Sequence, residues 1–176
     1  MPRKKKLGIN DSGDHQCRKL RVLRLGDHNL KCGANSIVRA LSHNGNIEEL
    51  DLSCCNLRLT QEMCEDLQRC PKLILLNLSG NKAMQLVALA EILPNFPTLL
   101  TLNLREIAVS ERAWSALVSA LQKCKHLCVQ FDGLKLSAAI LAGQKGKCDV
   151  TDIQNVINDG KIAIVWQACH HNHYLW

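Results

Sequence analysis

A repeated pattern of leucines dominates this sequence. Segments beginning at residues 20, 47, 73 and 99 each carry apolar residues at positions 1, 4, 6 and 11. The starts are 27, 26 and 26 residues apart, and all twelve residues at positions 1, 4 and 6 are leucine or isoleucine. A fixed period of this length indicates stacked units that bury their apolar faces against one another.

A degenerate fifth copy follows the four regular ones. If it begins at His126, Val129 and Phe131 occupy positions 4 and 6 and the interval stays at 27 residues. If it begins at Leu127, position 1 becomes apolar but the later positions shift by one. We prefer the first register because it preserves the period.

A helical pattern follows each of these segments. Ala113, Leu117 and Leu121 lie on one helical face, and Ser110 is a suitable N-cap. The same spacing joins Ile37 to Leu41, Met63 to Leu67 after Thr60, and Leu89 to Leu93. Pro94 and Pro97 are expected to end the third helix. Each unit is therefore predicted to be a short strand followed by a helix.

These units resemble the leucine-rich repeat, whose pattern is L-x-x-L-x-L-x-x-N/C-x-L. Position 9 holds His28, Cys55, Asn81 and Ile107. In the family, the Asn or Cys side chain at this position bonds the backbone of the turn that leaves the strand. The resemblance implies this role for Cys55 and Asn81, with His28 as a substitute, and denies it to Ile107.

Helices between strands and cysteine-bearing units of this length resemble the ribonuclease-inhibitor subclass. That subclass also supplies the sensor domains of cytosolic nucleotide-binding immune receptors. The resemblance implies an α/β fold: a right-handed solenoid forming a short horseshoe arc of about five repeats. The parallel sheet is expected on its concave side and the helices on its convex side.

Three segments are predicted along the chain. Residues 1–16 form a basic tail and a thin N-terminal cap, residues 17–137 the solenoid, and residues 138–176 a C-terminal cap or tail. Within the last segment, Lys161 to Trp166 has the pattern of a strand, and we expect this tail to cover the open edge of repeat five. Trp166 is expected to pack rather than to bind a ligand.

Ten cysteines are many for 176 residues. The charged N-terminus is not followed by the apolar segment of a secretory signal, and no apolar run is long enough to cross a membrane. We therefore expect a cytoplasmic or nuclear protein whose cysteines are reduced and packed in the core. Cys17 and Cys70 recur three residues before a strand segment, and the adjacent Cys54 and Cys55 are expected to point apart.

Catalysis has no residue set behind it in this sequence. Cys54, Cys55 and Cys64 have no histidine in a distinctive context, and the segment Gly143 to Gly146 lacks the spacing of a phosphate loop. Residues 169–173 (Cys-His-His-Asn-His) concentrate potential metal ligands, but adjacent ligands do not readily face one ion. We predict a protein that is not an enzyme, without cofactor or metal.

The predicted working surface is the concave face of the sheet. Side chains alternate along a strand, and positions 1, 4 and 6 are expected to point inward, which leaves positions 2, 3 and 5, and then 7 and 8, on the concave side. Arg21 with Glu48, and Arg24 with Asp51, are expected to form cross-strand charge pairs. Ile74, Leu75 and Leu100 form an apolar patch on this polar face, which is typical of an interaction site. The predicted partner-binding residues are Arg21, Arg24, Glu48, Glu49, Asp51, Ile74, Leu75, Asn77, Leu100, Asn103 and Arg105.

Four or five strands span only about 14–19 Å, which suits a protein segment such as a peptide, a helix or a loop. The alternative hypothesis concerns the tail, where Arg3, Lys4, Lys5 and Lys6 supply +4 of the formal charge of +6. Such a tail is typical of a nuclear or nucleic-acid-associated protein, and it is also typical of a solvated chain end.

Overall fold

The computed structural model describes residues 19–31, 33–81, 85–132 and 155–165. Their strands are β1 (Val22–Arg24), β2 (Glu49–Asp51), β3 (Leu75–Asn77), β4 (Thr101–Asn103), β5 (Cys128–Asp132) and β6 (Ile162–Val165). Their helices are α1 (Gly33–Asn44), α2 (Gln61–Gln68), α3 (Leu86–Ile92) and α4 (Glu111–Lys123). A 3-10 turn, Leu93–Asn95, extends α3, and residues 155–158 add a helical turn before β6.

The described strands form one open, parallel sheet in chain order from β1 to β6. Position 4 of every repeat lies in one line, because Leu23 pairs with Leu50, Leu50 with Leu76, Leu76 with Leu102 and Leu102 with Val129. The expectation of an α/β fold with a parallel sheet is confirmed, as is the register that begins the fifth copy at His126.

Repeat five keeps its strand register but changes the residue that fills position 1. His126 is exposed, whereas the next residue, Leu127, is buried. A charged or polar ring in the core would be costly without partners, so the neighbouring leucine is buried in its place. The strand therefore follows the register that begins at His126, whereas the buried residue at the start of the repeat is Leu127, as in the other register.

One face of the sheet packs on the helices. Leu50, Leu76 and Leu102 are fully buried and belong to the same apolar cluster as Leu67 of α2 and Leu117 of α4. On the outward face of the strands, Glu49, Leu75 and Thr101 are only half-buried. Because successive side chains of a strand point to opposite sides, the sheet has one buried face and one open face.

The helices follow the sequence pattern closely. Thr60 caps α2 by accepting a hydrogen bond from Met63 N, and Ser110 caps α4 by accepting one from Ala113 N. The predicted helix end at Pro94 is confirmed, since α3 ends at Ile92 and continues as the 3-10 turn. In α1 the buried face is centred on Ala34 and Val38 with Leu41, while Ile37 is only half-buried.

A recurring turn leaves each of the first four strands. Position 8 has a positive φ every time: 63° at Asp27, 52° at Cys54, 71° at Gly80 and 59° at Glu106. Three of these residues are not glycine, although this backbone region disfavours side chains. The turn must therefore be stabilised by other contacts.

In the first three repeats, side chains at position 9 supply those contacts. Asn81 is fully buried; its Oδ1 accepts from the N–H groups of Cys55 and Leu57, and its Nδ2 donates to the carbonyls of Leu52 and Leu78. Cys55 Sγ donates to Leu25 O over 2.9 Å. His28 Nδ1 lies 2.8 Å from Gly26 O, and because a carbonyl oxygen only accepts, the Nδ1–H donates this bond. The roles expected for Asn81, Cys55 and His28 are confirmed.

The two ends of the described sheet differ. At the first end, Leu20, Leu23, Leu25 and Leu30 are only half-buried, although their counterparts in repeats two and three that lie in described residues are buried. At the other end, β6 pairs with β5 along four residues, so the predicted strand after Lys161 is confirmed and covers the edge of repeat five.

Candidate functional site

The open face is the side of the sheet that points away from the helices, and it carries the side chains at positions 2, 3 and 5. Position 2 forms a straight row across the strands, because Glu48 N donates to Arg21 O, Ile74 N to Glu48 O, and Leu100 N to Ile74 O, over 2.7–2.9 Å. We call these four residues (Arg21, Glu48, Ile74 and Leu100) the position-2 row. One half of the row is charged and the other half is apolar.

The apolar half of the row is exposed. Ile74 is 40% and Leu100 47% exposed, which is unusual for large aliphatic side chains placed side by side. Leu75, the third residue of the predicted patch, is half-buried. Val22, at position 3 of β1, is 42% exposed and was not among the predicted partner-binding residues. Its place on the first strand of the sheet is the signal that would have revealed it.

The charged half of the row forms a bidentate ion pair. Arg21 Nε donates to Glu48 Oε1 over 2.8 Å and Arg21 Nη2 to Glu48 Oε2 over 2.7 Å, which confirms the first predicted charge pair. The hydrogen bond from Arg21 lowers the pKa of Glu48 below its usual value, and the same bond raises the pKa of Arg21. Both groups therefore stay charged at neutral pH.

The second predicted charge pair, Arg24 with Asp51, is wrong. Arg24 Nη2 instead donates to Glu49 Oε2 over 3.2 Å, diagonally across the strands. Asp51 directly faces Arg24 in the register, but its Oδ1 accepts the backbone N–H of Ser53 over 2.8 Å. A short carboxylate that folds onto its own turn no longer reaches the guanidinium.

Two of the predicted partner-binding residues are not accessible. Asn77 is 3% and Asn103 2% exposed, so the expectation that they present a binding surface is wrong. Asn77 Oδ1 accepts from Ser79 N and Ser79 Oγ, and Asn103 Oδ1 accepts from Arg105 N. Asn or Asp followed two residues later by a turn is the signal for this role, and the sequence contains it at position 5 of three repeats.

Arg105 lies at the carboxyl end of β4 and leans toward β5. Its Nε is 3.7 Å from Asp132 Oδ1, and Asp132 Oδ2 accepts the N–H of Glu106 over 2.5 Å. The side chain of Arg105 is mostly covered, at 23% exposure. Of the predicted residues, Arg21, Arg24, Ile74 and Leu100 are exposed and lie close together, with half-buried neighbours beside them: Glu48, Glu49, Asp51 and Leu75.

The thiols of the described core are poor nucleophiles. Burial raises the pKa of Cys64 to about 12 and that of Cys70 to about 11, so both stay protonated near neutral pH. Cys54 is half-buried and Cys55 fully buried, and burial raises the pKa of each. The six cysteines in the described part of the chain are free thiols; four of them are buried, and Cys54 and Cys128 are half-buried.

A small polar cleft of about 70 Å³ lies on the helix side, between α1 and α2. Asp66 lies in it, with Oδ1 2.8 Å from Arg69 Nη1 and Oδ2 3.6 Å from Arg39 Nε. The volume is far below the roughly 300–1,000 Å³ of typical small-molecule sites. The charged side chains around this cleft therefore form an ion-pair network on the helix side of the sheet.

Within residues 19–31, 33–81, 85–132 and 155–165, no three His, Cys, Asp or Glu side chains are grouped so as to hold a metal ion. No helix among these residues is long and apolar enough to cross a membrane. The basic residues Arg3 to Lys6, Cys17, the segment Gly143 to Gly146, Trp166 and the histidine cluster at 169–173 lie outside the described residues.

No protein-family model matches this chain, and no curated protein sequence matches it.

Proposed function

We propose that this chain is a protein-interaction module of the leucine-rich-repeat type, in which the open face of the sheet binds a segment of a partner protein. In this proposal the chain is a short, right-handed, ribonuclease-inhibitor-like solenoid, and the open face is its concave side. It acts without catalysis, in the cytoplasm or nucleus, as an adaptor or as the repeat domain of an immune-type receptor.

The observation that carries the proposal is the exposure of Ile74 and Leu100, which immediately precede the adjacent strands β3 and β4. Exposure of these apolar side chains to water is unfavourable, and a partner that covers them gains about 25 cal/mol of binding free energy per Å² of apolar surface buried. The ion pairs of Arg21 and Arg24 border this patch and are themselves accessible. An apolar centre with a polar rim is the usual composition of a protein–protein interface.

The solenoid part of the proposal is supported by regularity. Five strands repeat at intervals of 26 or 27 residues in one register, and the position-9 side chains bond the strand-exit turns in three successive repeats. The same turn also recurs at position 8. These are the features on which the resemblance to leucine-rich repeats rests.

The test compares two variants of the full chain. Ile74→Arg with Leu100→Arg places two charges on the open face, whereas Ser119→Arg places one at an exposed position of α4 on the helix side. Each protein is used for affinity capture followed by quantitative mass spectrometry, after circular dichroism has verified folding.

The proposal expects a set of partners that is retained by wild type and Ser119→Arg and lost by the face variant. Partners that bind all three proteins equally, or the absence of any partner that wild type retains over the face variant, would contradict it.

A further inference from the structure

We infer that the partner segment is an amphipathic α-helix that lies across the strands, with two apolar residues on Ile74 and Leu100 and an acidic residue near Arg21 and Arg24. This inference rests on the proposed function and narrows it to one kind of partner. It follows from the spacing of the position-2 row and from the unequal exposure of its charged groups.

The direction of the partner follows from the shape of the face. β1 to β4 are each three residues long, so a segment running along a strand meets few side chains. At the start of these four strands, the position-2 row continues from one repeat to the next without a break, because each backbone N–H donates to the carbonyl of the preceding row member. The longest continuous line of side chains therefore runs perpendicular to the strands.

The conformation of the partner follows from the spacing of that line. Neighbouring strands are about 4.8 Å apart, and same-face residues of an extended peptide are about 6.6–6.8 Å apart. An α-helix rises 1.5 Å per residue, so residues at i+3 and i+4 are displaced by about 4.5 and 6.0 Å. The side-chain spacing of a helix therefore matches that of the row over three or four repeats, whereas the wider spacing of an extended peptide fails to match after the first contact.

The charge of the partner follows from which groups are outermost. The side chain of Arg21 is 68% exposed and that of its partner Glu48 only 24%, and Arg24 at 63% likewise exceeds Glu49 at 39%. The carboxylates are therefore partly covered by the guanidinium groups that they bind. A partner that reaches this end of the row meets two guanidinium groups that are more exposed than the carboxylates they bind.

Together these features predict the spacing of residues in the partner. The row extends about 10 Å from Ile74 to Arg21 and about 14 Å from Leu100 to Arg21, given the strand spacing. On a helix these distances correspond to roughly seven and ten residues. If i lies on Leu100, the expected partner has its second apolar residue at i+3 or i+4, on Ile74, and an Asp or Glu at i+9 to i+11, near Arg21.

The experiment is a selection of random 15-residue peptides displayed on phage. The full chain is the bait, and binders that also bind the Ile74→Arg with Leu100→Arg variant are removed. The inference expects the enriched peptides to share the spacing above and to contain no internal proline. Synthetic copies should gain helical circular dichroism when they bind.

Affinities from fluorescence anisotropy then test the charge. Arg21→Glu with Arg24→Glu should weaken the best acidic peptide at least about tenfold, and changing the peptide's acidic residue to lysine should restore most of the loss. Ser119→Arg is the control that changes nothing.

Enrichment of proline-containing peptides, of peptides with apolar residues at every second position, or of basic peptides would overturn the inference. So would a selection with no peptide that depends on the open face. If captured proteins depend on Ile74 and Leu100 while the selected peptides are extended or basic, the inference fails and the proposed function stands. If neither captured proteins nor peptides depend on the face, both fail.

Discussion

Replacing Asn81 with alanine removes the side chain that joins two successive strand-exit turns. Four of its hydrogen bonds are 3.0 Å or shorter: two accepted from Cys55 N and Leu57 N, and two donated to Leu52 O and Leu78 O. Each such bond contributes about 1 kcal/mol net, and a buried N–H left without a partner costs more than the bond itself. Because Asn81 is fully buried, water does not readily replace it.

We expect Asn81→Ala to lower the free energy of unfolding by about 3–5 kcal/mol. With a urea m-value of about 2 kcal/mol/M, the midpoint falls by roughly 2 M. The measurement is urea unfolding followed by far-UV circular dichroism. His28→Ala is the matched control, since His28 occupies the same repeat position but is exposed, and it should cost less than about 1 kcal/mol. Equal losses for the two variants would refute the reasoning.

Three further predictions concern single side chains. Gly80→Ala should cost about 1–3 kcal/mol because φ is 71° and a Cβ there would press on Cys54 Sγ; Cys54→Ala should restore the part due to that contact in urea unfolding. Burial raises the pKa of Cys64 to about 12 and of Cys70 to about 11, so the folded state keeps protons that the unfolded state releases above about pH 9. The free energy of unfolding should therefore fall from about pH 9 toward pH 12. Urea unfolding at several pH values measures this. Trp114→Phe should lower the free energy of unfolding by less than about 1 kcal/mol in the same assay, because the buried indole Nε1 has no hydrogen-bond partner among the described residues. A decrease as large as the 3–5 kcal/mol typical of Trp→Ala would contradict this.

The register of the sheet was predictable from the sequence because it depends on the periodic core. Shifting one strand by a single residue would turn Leu50 or Leu76 toward water, so the leucine pattern permits only one alignment. Helix faces and caps are encoded locally in the same way, as at Thr60 and Ser110. These features depend on residue type and spacing, which a sequence displays directly.

The details of the open face were less predictable, since its side chains choose among partners at similar distance. Arg24 binds Glu49 because Asp51 is already engaged by Ser53 N, a competition between a side chain and its own backbone. Asn77 and Asn103 are buried for the same reason. Alternation along a strand predicts which way a side chain points, but not whether it then folds back onto the next turn.

The half-buried leucines of the first repeat make one end of the sheet easier to open than its middle. Separating β1 exposes Leu23 and Leu25, which already contact water, whereas separating β3 exposes the fully buried Leu76 and breaks the bonds of Asn81. Among the described strands, we therefore expect β1 to open locally more readily than β3. Arg24 belongs to β1 and Arg21 immediately precedes it, while Ile74 and Leu100 immediately precede β3 and β4, so a partner anchored on the apolar side would also hold the first repeat closed.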